Sequence, residues 1–203
     1  MEFKKYKVRD VLCDIAMGPF GSNIKRECFV SSGVPVLNGS NLTDIFLVET
    51  SFNYVTEEKA DSLNKANAHR GDIVITHRGT LGQITYIPDD SLYDRYVISQ
   101  SQFRISCNEL VDPCYFVYYF HTPAGQHKLL SNASQVGVPS LARPTTTFQQ
   151  IEIELPSIDE QKKLVSILMS IRKGIKIHNQ INENLSLQAK NLFLEFSSGK
   201  LKL

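Results

Sequence analysis

One pattern constrains this chain more than any other: an apolar seam too long for a single small domain to cover. Leu164, Leu168, Ile171, Ile175, His178, Asn182, Leu185, Ala189, Leu192 and Phe196 follow one another in alternating steps of four and three residues. Side chains at that spacing line one stripe of an α-helix, and a sustained seven-residue repeat marks helices that pair with other helices. Two members, His178 and Asn182, are polar and sit mid-seam. Polar residues there set register and orientation at some cost in stability. Ser157-Ile158-Asp159-Glu160 reads as the capping box that starts the helix, with Ser157 accepting from the Glu160 amide and Glu160 reaching back. Ser197-Ser198-Gly199 ends the pattern. Such a helix spans roughly 55–60 Å, whereas a domain built from the rest of the chain measures roughly 25–35 Å across. A helix folded back on its own domain would leave much of the seam in water. A partner is therefore expected, and a second copy of the chain is the simplest one.

Upstream of Leu155-Pro156 the character differs. Short apolar segments alternate with turns. Val34–Gly39, Gly71–Gly79 and Gly82–Pro88 are rich in Val, Ile, Thr and Tyr and bounded by Gly or Pro, as strands are. The second and third are expected to form a hairpin around His77-Arg78-Gly79-Thr80-Leu81-Gly82. Tyr96–Ser106 alternates well enough to read as one strand, and Ile151–Leu155 alternates strictly. Asp112-Pro113 and Thr122-Pro123 are N-cap and first-turn pairs, so Pro113–Phe120 and Ala124–Asn132 read as helices despite the aromatic content of the first. A further helix is expected over Thr56–Ala66. The class is α+β: a globular domain with a mixed or antiparallel sheet and short helices over 1–155, then a long helix over 156–203 that is expected to form an antiparallel coiled coil with a partner.

Composition is that of a globular chain, with 42% hydrophobic and 21% charged residues. No apolar run is long enough for a membrane span, and the N-terminus lacks a signal-peptide core. The four cysteines form no C-x-x-C pair, which points to a reducing, cytoplasmic setting. Residues 1–155 carry 14 Lys and Arg against 17 Asp and Glu, a balance of −3, while residues 156–203 carry 8 against 4, a balance of +4. Bulk charge thus gives the first region no attraction for an anionic polymer, though a local basic face can still provide it.

The run Ile151–Phe193, IEIELPSIDEQKKLVSILMSIRKGIKIHNQINENLSLQAKNLF, closely resembles the conserved C-terminal region of type I restriction–modification specificity subunits. Leu155, Pro156, Glu160 and Gln161 occupy that family's turn between a short strand and a long helix. GVPVLNGSNL (Gly33–Leu42), GDIVITHRGTLGQITYIP (Gly71–Pro88) and SQVGVPSLARPTTTFQQI (Ser134–Ile151) resemble its target recognition domain. A full-length subunit carries two recognition domains and two conserved helices, whereas this chain carries one of each. It can be a natural half-subunit, the product of a rearranged gene, or a fragment. The resemblance implies a non-catalytic subunit whose recognition domain reads one half of a split site in double-stranded DNA. Its helix would act as spacer, homodimer contact and dock for DNA adenine methyltransferase subunits and a restriction/translocase subunit. No cofactor is expected in this chain; S-adenosylmethionine, ATP and magnesium belong to the partners.

Candidate DNA contacts lie in loops. His77, Arg78 and Thr80 flank the hairpin glycines, where an Arg fork can grip a guanine edge or a phosphate. Lys25 and Arg26 end the Gly18–Arg26 loop, and Arg143 is the lone charge of the Ser134–Arg143 loop. Asn38, Ser40 and Asn41 offer hydrogen-bonding groups in an Asn-Gly turn, and Gln100 and Gln102 interrupt a strand pattern. Other chemistries fit less well. Cys107, Cys114, His121 and His127 are spaced too widely for an ordinary structural zinc site, and Asp89-Asp90 with Glu160 and Lys162 only superficially resembles a metal-dependent nuclease. The sequence holds no nucleophile-elbow, H-E-x-x-H or G-x-G-x-x-G motif. The main alternative is a protein–protein assembly module without DNA readout.

Overall fold

The computed structural model describes residues 2–134 and 137–198, with Ser22 placed by its backbone alone. In chain order the elements are β1 (Lys4–Lys7), β2 (Leu12–Met17), β3 (Val34–Val36), β4 (Asn53–Val55), α1 (Glu57–Ser62), β5 (Asn67–His69), β6 (Ile73–Thr76), β7 (Ile84–Tyr86), β8 (Arg95–Val97) and β9 (Gln102–Cys107). They continue with α2 (Pro113–His121), α3 (Pro123–Leu130), β10 (Ala133–Ser134), β11 (Ser140–Leu141), α4 (Pro144–Gln149), β12 (Glu152–Leu155) and α5 (Ile158–Ser197). The architecture is α+β, as expected. It divides into two compact units, Met1–Lys162 and Lys163–Leu203.

Two four-stranded sheets organise the first unit, in the orders β2-β9-β6-β7 and β4-β3-β8-β5. All pairings are antiparallel except β3 with β8. β6 explains why its sequence, Ile-Val-Ile-Thr, is apolar without alternation. Ile73 and Ile75 face a cluster with Phe103, Phe116, Phe120 and Phe148, while Val74 faces a second cluster with Leu37, Ile87, Tyr96 and Ile98. A strand buried on both faces has no solvent side on which to place polar residues. The aromatic cluster is tightly knit, with Phe116–Phe120 and Phe103–Phe148 centroids 4.8 and 5.3 Å apart in tilted or edge-on geometry.

The hairpin of β6 and β7 forms in the expected register, Ile73 opposite Tyr86. α2 and α3 start where proline and cap predict: the Asp112 carboxylate accepts from the Tyr115 amide at 2.9 Å, and the Thr122 hydroxyl from the Gly125 amide at 3.1 Å. Two expectations need correction. Tyr96–Ser106 is two strands, β8 and β9, in different sheets. The Thr56–Ala66 segment is one α-helical turn and a half, then a separate 3₁₀ turn at Asn64–Ala66, with Asn64 at φ 39°.

β12 pairs antiparallel with β1, Lys4 opposite Leu155, and α5 follows. The capping box is formed: the Ser157 amide donates to Glu160 Oε2 at 3.2 Å and the Glu160 amide to Ser157 Oγ at 3.4 Å. Gln161 is fully buried. Its Oε1 accepts from the Asp112 amide at 3.0 Å, and its Nε2 donates to the Leu110 and Pro156 carbonyls at 3.1 and 3.0 Å. One side chain thereby ties the α2 cap, the end of β12 and the first turn of α5. Beyond Lys163 the described residues form helix alone, and most seam residues are exposed, Ile171, Ile175, Leu185 and Leu192 each by more than half. No described helix is long and apolar enough to cross a membrane.

Gln161→Leu keeps the shape but leaves a buried amide and two carbonyls without partners. The expected loss is about 2–3 kcal/mol, read as a lower urea midpoint at unchanged slope.

Candidate nucleic-acid interface

The link between β8 and β9 organises the candidate surface. Here the chain leaves one sheet and enters the other through Ser99–Ser101. The buried Gln102 closes the turn: its Oε1 accepts from the Ser99 amide at 2.8 Å, and its own amide donates to the Ser99 carbonyl at 3.1 Å. Neighbouring loops then bond to this turn. The Gly18 amide donates to the Gln102 carbonyl at 2.8 Å. A Cβ at Gly18 would lie 1.9 Å from the Ser99 oxygen, so the approach admits only glycine. The His77 amide donates to the Ser101 carbonyl at 2.9 Å, and His77 Nε2 lies 3.2 Å from the Gln100 carbonyl.

The His77–Gly79 segment extends the surface by pairing with the loop before α4. Leu141 donates to the His77 carbonyl at 2.8 Å, Gly79 to the Pro139 carbonyl at 2.9 Å, and Arg78 bridges Ser140. Gln83 ties on the Asn38 turn, accepting from Thr76 Oγ1 at 3.1 Å and donating to the Gly39 carbonyl at 2.9 Å. Between the Gly18 loop, the Asn38 turn and Gln100 lies a cleft of about 180 Å³, floored by Ile24, Phe29, Val36 and Leu37. Phe20 lines it and is 82% exposed.

The charge distribution on these loops differs from that of the unit as a whole. Segments 18–26, 38–43, 77–87, 98–102 and 134–143 contain Lys25, Arg26, Arg78 and Arg143 and no Asp or Glu. All four cations are exposed, and none is in an ion pair among the described residues. Other arginines of the unit are engaged. Arg70 meets Asp94 at 2.8 Å, Arg95 meets Asp61 at 2.5 Å and also Glu57, and Arg104 meets Asp14 at 2.9 Å. Asp14, Glu57, Asp61, Asp72 and Asp94 thus sit on arginines outside these segments.

The sequence from residue 2 to 187 matches the family model of the type I restriction modification DNA specificity domain. The chain belongs to that specificity-domain family. Solved structures with the same fold include a chain of a type I R-M system, studied for its complex assembly and conformational transition, at TM-score 0.66 and 18% identity, covering 94% of this chain and 43% of that one. The HsdS subunit from Thermoanaerobacter tengcongensis matches at TM-score 0.57 and 19% identity, over 86% of this chain and 38% of that one. The type I restriction–modification S subunit from M. genitalium matches at 0.56 and 16%, over 85% and 39%. The chain thus spans less than half the length of each of these proteins.

Within this specificity domain, the candidate residues separate into two sets. His77 bonds to the crossover turn and Gln100 and Asn38 line its cleft, with Arg78 and Thr80 exposed on the loop that follows His77 and Lys25 and Arg26 immediately following the cleft residue Ile24. Ser40 is exposed, with its hydroxyl 2.5 Å from Asn38 Oδ1. Arg143 is exposed at the start of α4 in the left-handed region, φ 46°. Gln135 and Val136 of its loop lie outside the described residues. Asn41 and Gln102 are corrections. Both are buried; Gln102 Oε1 accepts from the Ser99 amide, and its Nε2 has no partner among the described residues. Asn41 donates to the Val48 and Thr50 carbonyls and accepts from the Asn38 amide, so neither residue presents its side chain to a ligand. Sequence reasoning passed over Phe20 and Gln83. The Gly-Pro-Phe-Gly context of Phe20 was the available signal, since an aromatic residue in a glycine-flanked loop has no strand or helix to bury it.

Burial pushes the Cys107 thiol up to about 12, and His121 Nε2 sits 2.8 Å from the Ile84 carbonyl. A thiol held protonated is a poor metal ligand. Among the described residues no group of three His, Cys, Asp or Glu is placed to hold a metal ion.

Burial lowers the His77 pKa below its usual 6.5, against the smaller opposing pull of the Gln100 carbonyl. The imidazole is neutral at pH 7, with Nε2 as donor to that carbonyl. Unfolding then takes up a proton between the lowered folded value and 6.5, so this histidine's contribution to stability rises with pH through that window. His77→Gln should flatten the rise, measured by urea unfolding from pH 5 to 7.5.

Proposed function

We propose that this chain is a DNA sequence-specificity subunit of a type I restriction–modification system. Its 1–155 region reads one half of a bipartite site in double-stranded DNA, and the 156–203 region serves as spacer, dimer contact and dock for DNA adenine methyltransferase and restriction subunits. The chain itself is non-catalytic. S-adenosylmethionine, ATP and magnesium act on the partner subunits. The observation that carries the reading is the acid-free set of loop segments, in which Lys25, Arg26, Arg78 and Arg143 are exposed and outside every ion pair among the described residues, while Gln100 and Asn38 line the cleft. Phosphate contacts supply most non-specific affinity, and side chains such as Arg, Asn and Gln on loops discriminate base edges. Four cations are few for tight binding alone, so the methyltransferase is expected to complete the phosphate grip.

The second reading, an assembly module that reads no DNA, draws support from the −3 balance of residues 1–155. A standalone nuclease is disfavoured because Glu160 is engaged in the capping box; on that reading Glu160→Ala abolishes magnesium-dependent cutting, and on ours it only weakens the helix start.

In a mobility-shift assay with the cognate methyltransferase, the complex should prefer its methylation motif over a scrambled duplex. Arg78→Ala should relax that preference by about 1–3 kcal/mol, whereas Lys25→Ala should weaken both duplexes alike and lower the salt slope by about one. Equal affinity for both duplexes in the unmodified complex would leave the assembly reading standing.

The exposed seam of α5 supports a homodimer. Leu168→Glu and Leu185→Glu would set charges against an apolar partner surface. Each should turn a dimer into a monomer in sedimentation equilibrium, while the circular dichroism of the first unit's strands stays unchanged.

A further inference from the structure

Phe20 is 82% exposed, more than any other large apolar side chain among the described residues. A single exposed apolar residue needs no explanation by itself. What sets Phe20 apart is that its loop is fastened on both sides of it. On one side the Gly18 amide donates to the Gln102 carbonyl at 2.8 Å, and the Ser99 carbonyl leaves no room for a Cβ at Gly18. On the other, a Cβ at Gly21 would lie 2.1 Å from Gln100 Oε1, so the Gln100 side chain closes over that glycine. Pro19 fixes its own φ between them, and the Asn23 amide donates to the Phe20 carbonyl at 2.8 Å. Phe20 itself has unstrained extended backbone, φ −62° and ψ 146°. The ring is displayed from a fixed root.

Its surroundings say what it meets. The cleft of about 180 Å³ beside the ring is floored by Ile24, Phe29, Val36 and Leu37, and no Asp or Glu lines it. Asn38 and Gln100 also line it, and Asn38 Nδ2 and the Gln100 side-chain amide have no hydrogen-bond partner among the described residues. Lys25 and Arg26 follow Ile24 and are exposed, with Glu27 next on the same turn. A fitting occupant has an apolar face, hydrogen-bonding groups on its edge and negative charge close by. A nucleobase with its phosphate has all three. An apolar patch of a partner protein would cover the ring but leave both amides without partners and both cations without counter-charge.

We propose that Phe20 enters a base step of the recognised half-site and stacks on a base that it parts from its neighbour, with that base's edge turned toward the Asn38 and Gln100 amides. The inference rests on the DNA-reading proposal above and gives one residue a mode of contact within it. A phenyl ring carries no group that can read a base edge, whereas the face of a base, covered in a stacked duplex, is the surface a phenyl ring matches. Apolar side chains inserted between base steps are a known way of unstacking and kinking a duplex, and stacking on an aromatic ring tolerates any base. Specificity at this position would come from the amides, and affinity from the ring.

The test uses the full chain assembled with the cognate methyltransferase. In the duplexes 2-aminopurine, which brightens when unstacked, replaces each purine of the half-site in turn, pyrimidine–purine steps first because they open most easily. The unmodified complex should brighten one position besides the methylated adenine, whose extrusion belongs to the methyltransferase. Phe20→Ala should abolish that signal, leave the one at the methylated adenine, and weaken binding to the motif roughly 5- to 150-fold. Phe20→Trp should restore signal and affinity, and Phe20→Leu, which lacks an aromatic face, should not. The urea midpoint of each variant should match that of the unmodified chain; a lower one for Phe20→Ala would show a ring packed in the fold and overturn the inference. If the unmodified complex prefers its motif yet Phe20→Ala changes neither affinity nor fluorescence, the inference falls and the recognition reading stands. A loss of affinity matched by replacing thymine with uracil, with no second bright position, would assign the ring to a thymine methyl and overturn the stacking. Loss of the methyltransferase from the Phe20→Ala chain in sedimentation would make the ring a protein contact instead. Equal affinity of the unmodified complex for motif and scrambled duplexes would end the recognition reading and this inference with it.

Discussion

The turn at Ser99–Gln102 is the constraint on which the candidate surface depends. It carries the chain from β8 in one sheet to β9 in the other, so its position is set by both cores at once. The Gly18 and His77 amides bond to its carbonyls, and His77 in turn holds the loop before α4. Loops are ordinarily the mobile part of a fold. Here their backbones are referenced to a turn whose Ser99 amide donates to the buried Gln102 side chain. A reader of base edges needs side chains held to within a fraction of a hydrogen-bond length, and loops cross-bonded at their roots provide that.

Charge follows the same division of labour. A net negative unit is a poor non-specific binder of DNA, yet several of its acids sit on arginines outside the candidate loops: Asp94 on Arg70, Glu57 and Asp61 on Arg95, Asp14 on Arg104. The loops around the crossover turn carry cations alone. Local potential, rather than the total, governs the approach of a phosphate. On the proposed function, a modest basic patch on a mildly acidic body limits unproductive binding to bulk DNA before a partner is assembled.

Much of this was legible in local sequence, and the failures have a common cause. Asp112-Pro113, Thr122-Pro123 and the Ser157–Glu160 box each act within four residues, and each starts a helix as its chemistry dictates. The Ser99–Ser101 break was hidden because apolar alternation continues across it; what ends the strand is a side-chain cap by Gln102 and a docking glycine some eighty residues away. Asn38 and Asn41 flank one Asn-Gly turn and look interchangeable in sequence. Only the return of the chain at Val48 and Thr50 decides that Asn41 turns inward. The pairing of β1 with β12 likewise joins the two ends of the first unit, which no window of sequence can reveal.

The helix shows the converse, a feature that sequence expresses more fully than a single copy of the structure can. An isolated helix gains nothing from a stripe of exposed Ile and Leu, and its own backbone bonds do not require one. Nor does it gain from placing a histidine and an asparagine within that stripe. Both choices cost solubility or stability in a monomer, and both acquire a use only when another helix lies alongside. The polar pair sits at the centre of the seam rather than near an end. A central pair penalises every slipped register in both copies, whereas a pair near one end would let the rest of the seam slide with only a local loss.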